Sequence, residues 1–228
     1  MRVKGRGPSA RALRVALRGT RGLVNWTGAP LEGAINARTE TNKLAQLERL
    51  RNADIPTPEF DTSPHESWLG RTSYHAGGMD FLDGTRPQAP DFWTKPVKST
   101  SEYRVHVFRM PGGRVGDPVS FAAVRIGWKT RDDGDPTEQP SNLVSVPIRS
   151  RRFGWRLAYY ASPPAGHTDL ILLSRWAIAV LGWDFGAVDV LKTRNGLMVL
   201  EANSCPGLKD QFTLDTYVRG IRALSEED

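Results

Sequence analysis

Three side chains with hard oxygen donors, Asp189, Glu201 and Asn203, stand close together within residues 188–208. That segment reads VDVLKTRNGLMVLEANSCPGL, in which two apolar runs flank a turn. Carboxylate and amide oxygens are the ligands that magnesium prefers, and magnesium commonly completes its shell with water and substrate phosphates. The three residues therefore predict a Mg2+ site, with Mn2+ as the alternative ion, that serves a phosphate-bearing substrate such as ATP.

The turn between the two runs decides whether Asp189 and Glu201 share a face of the predicted hairpin. Side chains alternate along a strand, and residues opposite each other in an antiparallel pair point the same way. A two-residue loop at Asn195-Gly196 would turn the first acid away from the second. A three-residue loop over residues 194–196, with Gly196 in a left-handed conformation, pairs the two acids. The metal site requires this register or another of the same parity.

An alternative interpretation makes Asp189 and Glu201 ordinary polar residues on a solvent-facing surface. Both acids lie inside apolar runs, GAVDVL and MVLEAN, which indicates desolvated positions. An unpaired charge in such a position is costly, so the sequence predicts a metal cation or an arginine beside these acids.

Hydrophobic periodicity predicts helices mixed with many strands. Helices are predicted over residues 39–52, 168–181 and 212–224, the first capped by Thr39 or Thr41 and the second closed by Gly182. Strands are predicted over residues 22–27, 68–71, 92–97, 102–110, 119–129, 143–149 and 155–160, with an exposed excursion over residues 130–141. Strands that follow one another along the chain favour an α+β fold with mainly antiparallel sheets over a doubly wound fold.

Within residues 102–110 the alternation assigns faces. Tyr103, Val105 and Val107 share one face, and Glu102, Arg104 and His106 share the other.

Composition narrows the class of protein. The chain has 228 residues, of which 39% are hydrophobic, and no apolar run approaches the ~20 residues that span a bilayer. A lone Cys205 excludes an intramolecular disulfide and fits a reducing compartment, and we interpret it as a packing residue. The N-terminus lacks the apolar core of a secretory signal. We expect a cytoplasmic protein without a membrane partner.

Positive charge is concentrated in residues 1–22, although the net charge is only +6. The basic residues that precede the first acid, Glu32, are Arg2, Lys4, Arg6, Arg11, Arg14, Arg18 and Arg21. The favoured interpretation is a solvated, partly frayed terminus. The other two are an arm that contacts nucleic acid or an acidic partner, and a transit peptide.

Residues 24–208 resemble the ATP-grasp superfamily. The resemblance is strongest to the ATP-dependent carboxylate–amine ligases that include the enzymes adding glutamate to a ribosomal protein, and short phage-encoded forms are known in the superfamily. Its most specific motifs are LGWDFGAVDVL and VLEANSCPGL, preceded in order by NKLAQLERLRNADIPTP, GRTSYHAGG and EYRVHVF. Neither GxxxxGK[ST] nor GxGxxG occurs, so the usual phosphate-loop and dinucleotide folds are not supported.

The resemblance implies two lobes whose sheets sandwich ATP, and it implies a role for each matched residue. Asp189, Glu201 and Asn203 are the implied magnesium ligands, and Arg104 and Arg125 the implied stabilisers of phosphates or of the reaction intermediate. The implied nucleotide-binding residues are Lys43, Arg71 in place of the usual second lysine, His75, Gly77 and Gly78 in the triphosphate loop, Lys95 and Val97 at the adenine, and Glu102 at the ribose.

Without the resemblance, each of these residues also has an ordinary explanation. Lys43 alone would be a solvated helix residue, and Glu102 with Arg104 would be a weak ion pair. His65, His75, His106 and His167 show no metal-binding spacing and are interpreted as surface or polar-face residues.

The resemblance also implies domain limits. Residues 1–22 form a basic arm, residues 23–97 a reduced N-terminal segment with the small lobe, and residues 98–228 the large lobe with the metal site. Since the family's preceding domain is reduced or absent here, we expect a peptide or protein carboxylate substrate that brings its own surface, or an oligomer. A small-molecule carboxylate stays open as a substrate, and an amine is the second substrate. The alternatives are a kinase on the same scaffold and a basic nucleic-acid-binding protein with a vestigial nucleotide site.

Overall fold

The structure of the protein, a computed structural model, describes residues 1–74, 89–131, 149, 154–161 and 166–227. Helices and sheets are mixed along the chain, which confirms the predicted α+β class. The helices are α1 Gly7–Ala16, α2 Lys43–Asn52, α3 Thr168–Leu181 and α4 Gln211–Ser225. The strands are β1 Arg2–Gly5, β2 Leu23–Trp26, β3 Phe60–Asp61, β4 Leu69–Arg71, β5 Phe92–Thr94, β6 Ser101–Arg109, β7 Phe121–Arg131, β8 Trp155–Tyr159, β9 Phe185–Thr193 and β10 Gly196–Asn203.

Five antiparallel strands form the main sheet in the order β10-β9-β6-β7-β8. The predicted alternation along β6 is confirmed, since Val105 and Val107 pack into the core on one face while Arg104 bonds to a neighbouring strand's acid on the other. Helix α3 contacts β10, β9, β6 and β7 of this sheet. The opposite face carries polar side chains such as Arg104, and also Phe108 and Phe185, which pack in a second core cluster with residues of α4.

Helix α3 covers the apolar face of the main sheet, as its apolar sequence predicts. Ile178 and Leu181 are fully buried against β-strand residues such as Val188. The helix ends at Gly182, which has a φ of 72° in the left-handed region. Glycine adopts this region without the clash that a Cβ would cause, which confirms Gly182 as the predicted helix terminator.

Helix α2 and the small sheet, ordered β3-β5-β4, stand at the edge formed by β10. The predicted cap of this helix was wrong: Asn42, rather than Thr39 or Thr41, accepts a hydrogen bond from the Ala45 backbone N–H, at 3.1 Å. The hydroxyl of Thr39 instead donates to the Ala29 carbonyl inside an N-terminal turn, at 3.0 Å. The helix therefore begins at Lys43 and places that residue in its first turn.

Residues 1–22 form a folded unit, so the favoured interpretation of a frayed terminus was wrong. Strand β1 pairs in parallel with β2, and α1 crosses between them. Leu13 and Leu17 are fully buried in a second core cluster with residues of α4 such as Tyr217 and Ile221. The apolar residues recur at helical spacing among the arginines, and the excess of charge concealed this amphipathic pattern.

Two sequence-based expectations lie outside the described residues. They are the strand over residues 143–149, except for Arg149, and most of the excursion over residues 130–141. In the ranges that are described, no helix is both long and apolar enough to cross a membrane.

The packing of the N-terminal unit predicts a large loss of stability for Leu13→Ala. We expect the free energy of unfolding to fall by about 2–5 kcal/mol, because the substitution leaves a cavity in a fully buried site. Val15→Ala is the matched control on the same helix, since Val15 is 65% exposed and should change stability by less than ~0.5 kcal/mol. Urea denaturation of both variants measures the difference, and equal effects would show that the unit does not pack as described.

Candidate active site

The hairpin of β9 and β10 pairs Asp189 with Glu201, as the metal site requires. The predicted pairing is confirmed, but the predicted loop was wrong. Thr193 pairs with Gly196, which leaves a two-residue loop, and the register shifts by one residue between Val199 and Glu201. A β-bulge adds one unpaired residue to a strand and restores the parity that the shorter loop would have lost. The bulge therefore turns both acids to the same face.

Arg104 of β6 completes a row across three strands, because it pairs with Asp189 on the other side of β9. Its Nε and Nη2 atoms donate to the two carboxylate oxygens of Asp189 at 2.7 and 2.6 Å. Asp189 is only 3% exposed. A planar guanidinium bonds to a carboxylate through two parallel hydrogen bonds, which is the strongest neutralisation a side chain can offer. The prediction of an arginine beside this buried acid is confirmed.

Glu201 receives its neutralising charges from the small-lobe side of the site. Lys43 Nζ lies 3.0 Å and Arg71 Nη2 lies 3.6 Å from Glu201 Oε2. The Asn203 side-chain amide donates to Glu201 Oε1 at 3.4 Å. Burial alone would raise the pKa of Glu201, but the charges of Lys43 and Arg71 outweigh burial and hold this pKa well below its usual value.

The donor set fits magnesium in its chemistry. Asp189, Glu201 and Asn203 present two carboxylates and an amide oxygen at neighbouring positions of one sheet face. Across the residues that the structure describes, no group of three His, Cys, Asp or Glu side chains could hold a metal, so a site here would combine the two carboxylates with the amide, water or substrate phosphates. The two carboxylates face three cationic side chains, namely Lys43, Arg71 and Arg104.

The structure brings together only some of the other residues that were predicted to bind the nucleotide. Glu102 is buried beside Lys129, whose Nζ lies 3.3 Å from Glu102 Oε1. Burial raises the pKa of Glu102 to about 7, against the charge of Lys129. Lys95 is exposed and its Nζ pairs with Glu59 at 2.7 Å, while Val97 is half-buried. The predicted loop residues His75, Gly77 and Gly78 lie outside the described residues.

Arg125 belongs to a separate cluster at the start of α4. Its guanidinium carbon lies 4.1 Å from the ring centre of Tyr159 and 4.4 Å from that of Phe212. Its Nη2 donates to Asp210 at 3.0 Å, and its buried Nε has no hydrogen-bond partner among the described residues. The structure thus places Arg104 at the paired acids and Arg125 on β7, opposite His106 of β6.

Solved structures of ATP-grasp ligases share this architecture at low sequence identity. PsnB complexed with a phosphomimetic variant of its minimal precursor, Mg and ADP matches with a TM-score of 0.55 and 14% identity, over 95% of this chain and 66% of that one. Carboxyaminoimidazole ribonucleotide synthase from Aspergillus clavatus complexed with ATP matches with a TM-score of 0.56 and 15% identity, over 83% of this chain and 53% of that one.

The chain has the ATP-grasp fold. D-alanine–D-alanine ligase from Bacillus anthracis shares it too, with a TM-score of 0.52 and 14% identity over 82% of this chain and 68% of that one. This chain spans about half to two thirds of the length of these proteins. No family model matches the sequence, and no curated protein matches it.

His106 is the residue of the ATP-grasp sheet that the sequence analysis missed. It was expected at the surface or on a polar face; it is on the polar face but fully buried. Its Nδ1 and Nε2 atoms lie 2.9 Å from Tyr217 Oη and 3.1 Å from Tyr159 Oη. Burial, assisted by the charges of Arg104 and Arg125, lowers the pKa of His106 to about 3. The imidazole is therefore a neutral link between the sheet and α4.

The other interpretations of polar residues are simpler. Cys205 is confirmed as a packing residue, because burial raises its pKa to about 11 and its Sγ donates to the Thr27 carbonyl at 3.1 Å. A thiol with a raised pKa is a poor nucleophile. His65 bonds to Asp61 and stacks on Trp68 near the surface, and His167 precedes α3.

Loss of the Arg104 charge should destabilise the protein strongly. Arg104→Met leaves Asp189 buried without a counter-charge, and we expect the free energy of unfolding to fall by about 3–5 kcal/mol. Lys95→Met is the control, because it breaks an exposed pair with Glu59 and should cost less than ~1 kcal/mol. Chemical denaturation compares the two, and equal losses would contradict the described burial of Asp189.

His106 should make stability depend on pH. Because its pKa is lowered from 6.5 to about 3, its stabilising contribution is complete above pH 6.5 and is lost as pH falls toward 3. Between about pH 8 and about pH 5 this loss amounts to about 2 kcal/mol in the wild type, and it should be absent in His106→Gln.

Tyr159→Phe serves as the control, since it keeps the imidazole and should keep the pH dependence. Denaturation at a series of pH values gives the difference between wild type and each variant. If the difference in the free energy of unfolding between wild type and His106→Gln does not change with pH, the result would contradict a neutral, buried imidazole.

Proposed function

We propose that this chain is an ATP-dependent ligase that activates a carboxylate as an acyl phosphate and joins it to an amine. The observation that carries the proposal is the row of Arg104, Asp189 and Glu201 across three strands, closed by Lys43 and Arg71. Such a set can hold the phosphates of a nucleotide and their metal ion on one sheet face. The related folds support it, since PsnB and D-alanine–D-alanine ligase are ligases.

We assign the residues of this row to the phosphate end of ATP. Lys43 and Arg71 bind nucleotide phosphates, and Asp189, Glu201 and Asn203 hold the metal ion. Magnesium, or Mn2+ in its place, would neutralise charge on the phosphates and orient them when bound there. Arg71 retains the positive charge of the family's usual lysine and adds a planar fork that bonds to phosphate oxygens in pairs.

The remaining residues are assigned to the other parts of ATP and to the reacting carboxylate. Glu102 binds the ribose, with Lys95 and Val97 at the adenine, and His75, Gly77 and Gly78 close over the triphosphate. Arg104 and Arg125 neutralise the oxygens of the reacting carboxylate. Burial that keeps Glu102 partly protonated near neutral pH allows it both to donate to and to accept from a hydroxyl group.

The reaction needs no nucleophilic side chain from the protein. A substrate carboxylate oxygen attacks the γ-phosphorus, the bond to the bridging oxygen breaks, and ADP leaves with the electron pair. The amine then attacks the acyl carbon, loses a proton, and inorganic phosphate leaves. Arg104 stabilises the negative charge that develops during each step, because its guanidinium lies in the row where the phosphates bind.

Charge balance at the site implies that metal and nucleotide bind together. Lys43, Arg71 and Arg104 now neutralise Asp189 and Glu201, and each cation must shift toward phosphate when the nucleotide enters. A nucleotide alone would leave the buried Asp189 and the partly buried Glu201 with weakened partners, and a metal ion alone would compete with three cations. The metal ion replaces the positive charge that the nucleotide draws away from the two acids, and the nucleotide replaces the negative charge that the metal ion draws away from the three basic side chains.

The substrate is proposed to be a peptide or protein carboxylate rather than a small molecule. One of the similar structures is that of the ligase PsnB complexed with a minimal precursor, which supports this class. The finer resemblance to ribosomal-protein glutamate ligases and to short phage-encoded forms stays a prediction.

Glu201→Gln should abolish the dependence of nucleotide binding on metal. We expect the wild type to bind a non-hydrolysable ATP analogue at least about tenfold more tightly with Mg2+ than with a chelator. The variant should bind the analogue equally tightly with Mg2+ and with the chelator, because no charged acid at position 201 then has to be neutralised by the metal when Lys43 and Arg71 move to the phosphates. It should also lose turnover.

Glu48→Gln is the control, since this carboxylate is exposed on α2 and has no assigned role in the site. Titration calorimetry measures all three proteins. No nucleotide binding by the wild type, or a metal dependence that Glu201→Gln retains, would refute the assignment. ADP release that needs no amine and leaves a stable phosphorylated product would instead identify a kinase.

A further inference from the structure

The basic residues of the N-terminal unit have no role in the proposed chemistry. All seven are exposed, and the first acid in the chain is Glu32. We call the surface formed by α1, the turn after it and the neighbouring Arg222 of α4 the basic face; its residues are Arg11, Arg14, Val15, Arg18 and Arg222. Their positions are fixed by a folded unit rather than by a flexible tail.

Helix α1 and the turn after it orient the centre of the basic face. Leu13 and Leu17 point into the core, so Arg11 and Arg18 lie on the outer side of the unit. Val15 is 65% exposed between them, which gives this side an apolar centre. Arg14 turns back and donates from Nε to the Val3 carbonyl at 3.1 Å, which fixes its side chain against β1.

Charge on the basic face is not neutralised within the part of the chain that the structure describes. Neither Arg11 nor Arg14 nor Arg18 forms an ion pair with an Asp or Glu side chain there. Arg222 of α4 adds its charge beside them, since its Nη2 donates to the Ala16 carbonyl at 2.8 Å. Like charges held close together repel one another, and an anionic partner relieves that repulsion.

Helix α1, which carries the basic face, contacts the chain segment that follows the candidate metal ligands. Ser9, in the first turn of α1, accepts a hydrogen bond from the Leu208 backbone N–H at 2.9 Å. Leu208 follows the proposed metal ligand Asn203 by a short segment that also contains Cys205. A partner docked on α1 is therefore close to the chain that leaves the metal site.

Aromatic residues distinguish the classes of anionic partner. Proteins that bind single-stranded nucleic acid combine basic grooves with exposed aromatic rings on which bases stack. The first aromatic residue of this chain is Trp26, which is 4% exposed and packed in the core. An exposed valine among arginines is suited instead to a peptide that carries acidic side chains and an apolar one.

We propose that the basic face binds an acidic peptide segment with an apolar residue. Resting on the proposed ligase function, that segment belongs to the substrate whose carboxylate the active site activates. Docking on the basic face would hold the substrate while its reactive side chain reaches the row of Arg104, Asp189 and Glu201.

Fluorescence anisotropy without nucleotide tests the docking directly. The probes are a labelled short peptide rich in Glu with two Leu residues, the same peptide with Gln for Glu, and a single-stranded RNA of similar charge. At physiological ionic strength we expect the acidic peptide to bind more tightly than the other two, and more weakly as salt is added.

Two double variants locate the binding site. Arg11→Glu with Arg18→Glu should weaken peptide binding by at least about tenfold. Arg114→Glu with Arg194→Glu makes the same change in net charge on exposed residues elsewhere and should leave binding unchanged. Val15→Glu provides a second test on the same face if the first double variant does not fold, and it should weaken binding as well.

The outcomes separate docking from catalysis. Equal losses in the two double variants, no binding of the acidic peptide, or tighter binding of RNA would overturn the docking proposal. Peptide binding that maps to the basic face in a protein that fails to bind Mg2+ with the ATP analogue would sustain the docking and refute the ligase.

Discussion

Two carboxylates on one face of a β-sheet, one buried and one partly buried, govern the arrangement around them. Asp189 and Glu201 are costly in that position unless positive charge stands beside them, and three basic side chains supply it. Those side chains come from β6, from the start of α2 and from the end of β4. The need to neutralise two acids thus ties the main sheet to the small sheet and its helix.

The same charges give the site its chemical capacity. A cation that neutralises a buried carboxylate also binds phosphate, and a carboxylate freed from that cation binds a divalent metal ion. Lys43 and Arg71 lie on the side of Glu201 that faces the small sheet, while Arg104 lies on the main sheet with Asp189. Exchange of partners between these groups is a physical route by which nucleotide and metal become mutually dependent.

Local sequence patterns predicted much of this arrangement. Alternation along β6 assigned Arg104 to the polar face, and parity across the hairpin required Asp189 and Glu201 to face each other. The bulge between Val199 and Glu201 could not be predicted, because a longer loop and a shorter loop with a bulge give the same pairing. Tertiary packing decides between them.

Features that depend on contacts between distant segments escaped the sequence analysis. His106 lies on the predicted polar face, but only the docking of α4 buries it against Tyr217. The N-terminal unit was interpreted as frayed because its charge is conspicuous, whereas its stability comes from Leu13 and Leu17 packed against that same helix. The role of Arg125 likewise depends on aromatic rings from β8 and α4.

Electron paramagnetic resonance of Mn2+ is the most direct test of the exchange between cations, metal and nucleotide. Free Mn2+ gives a sharp signal that is lost on binding, so the fraction bound can be followed with and without an ATP analogue. The account predicts that the protein removes little Mn2+ from solution until the analogue is added, and that Asp189→Asn prevents the change. Mn2+ that binds equally without nucleotide, or that stays free in its presence, would contradict the account.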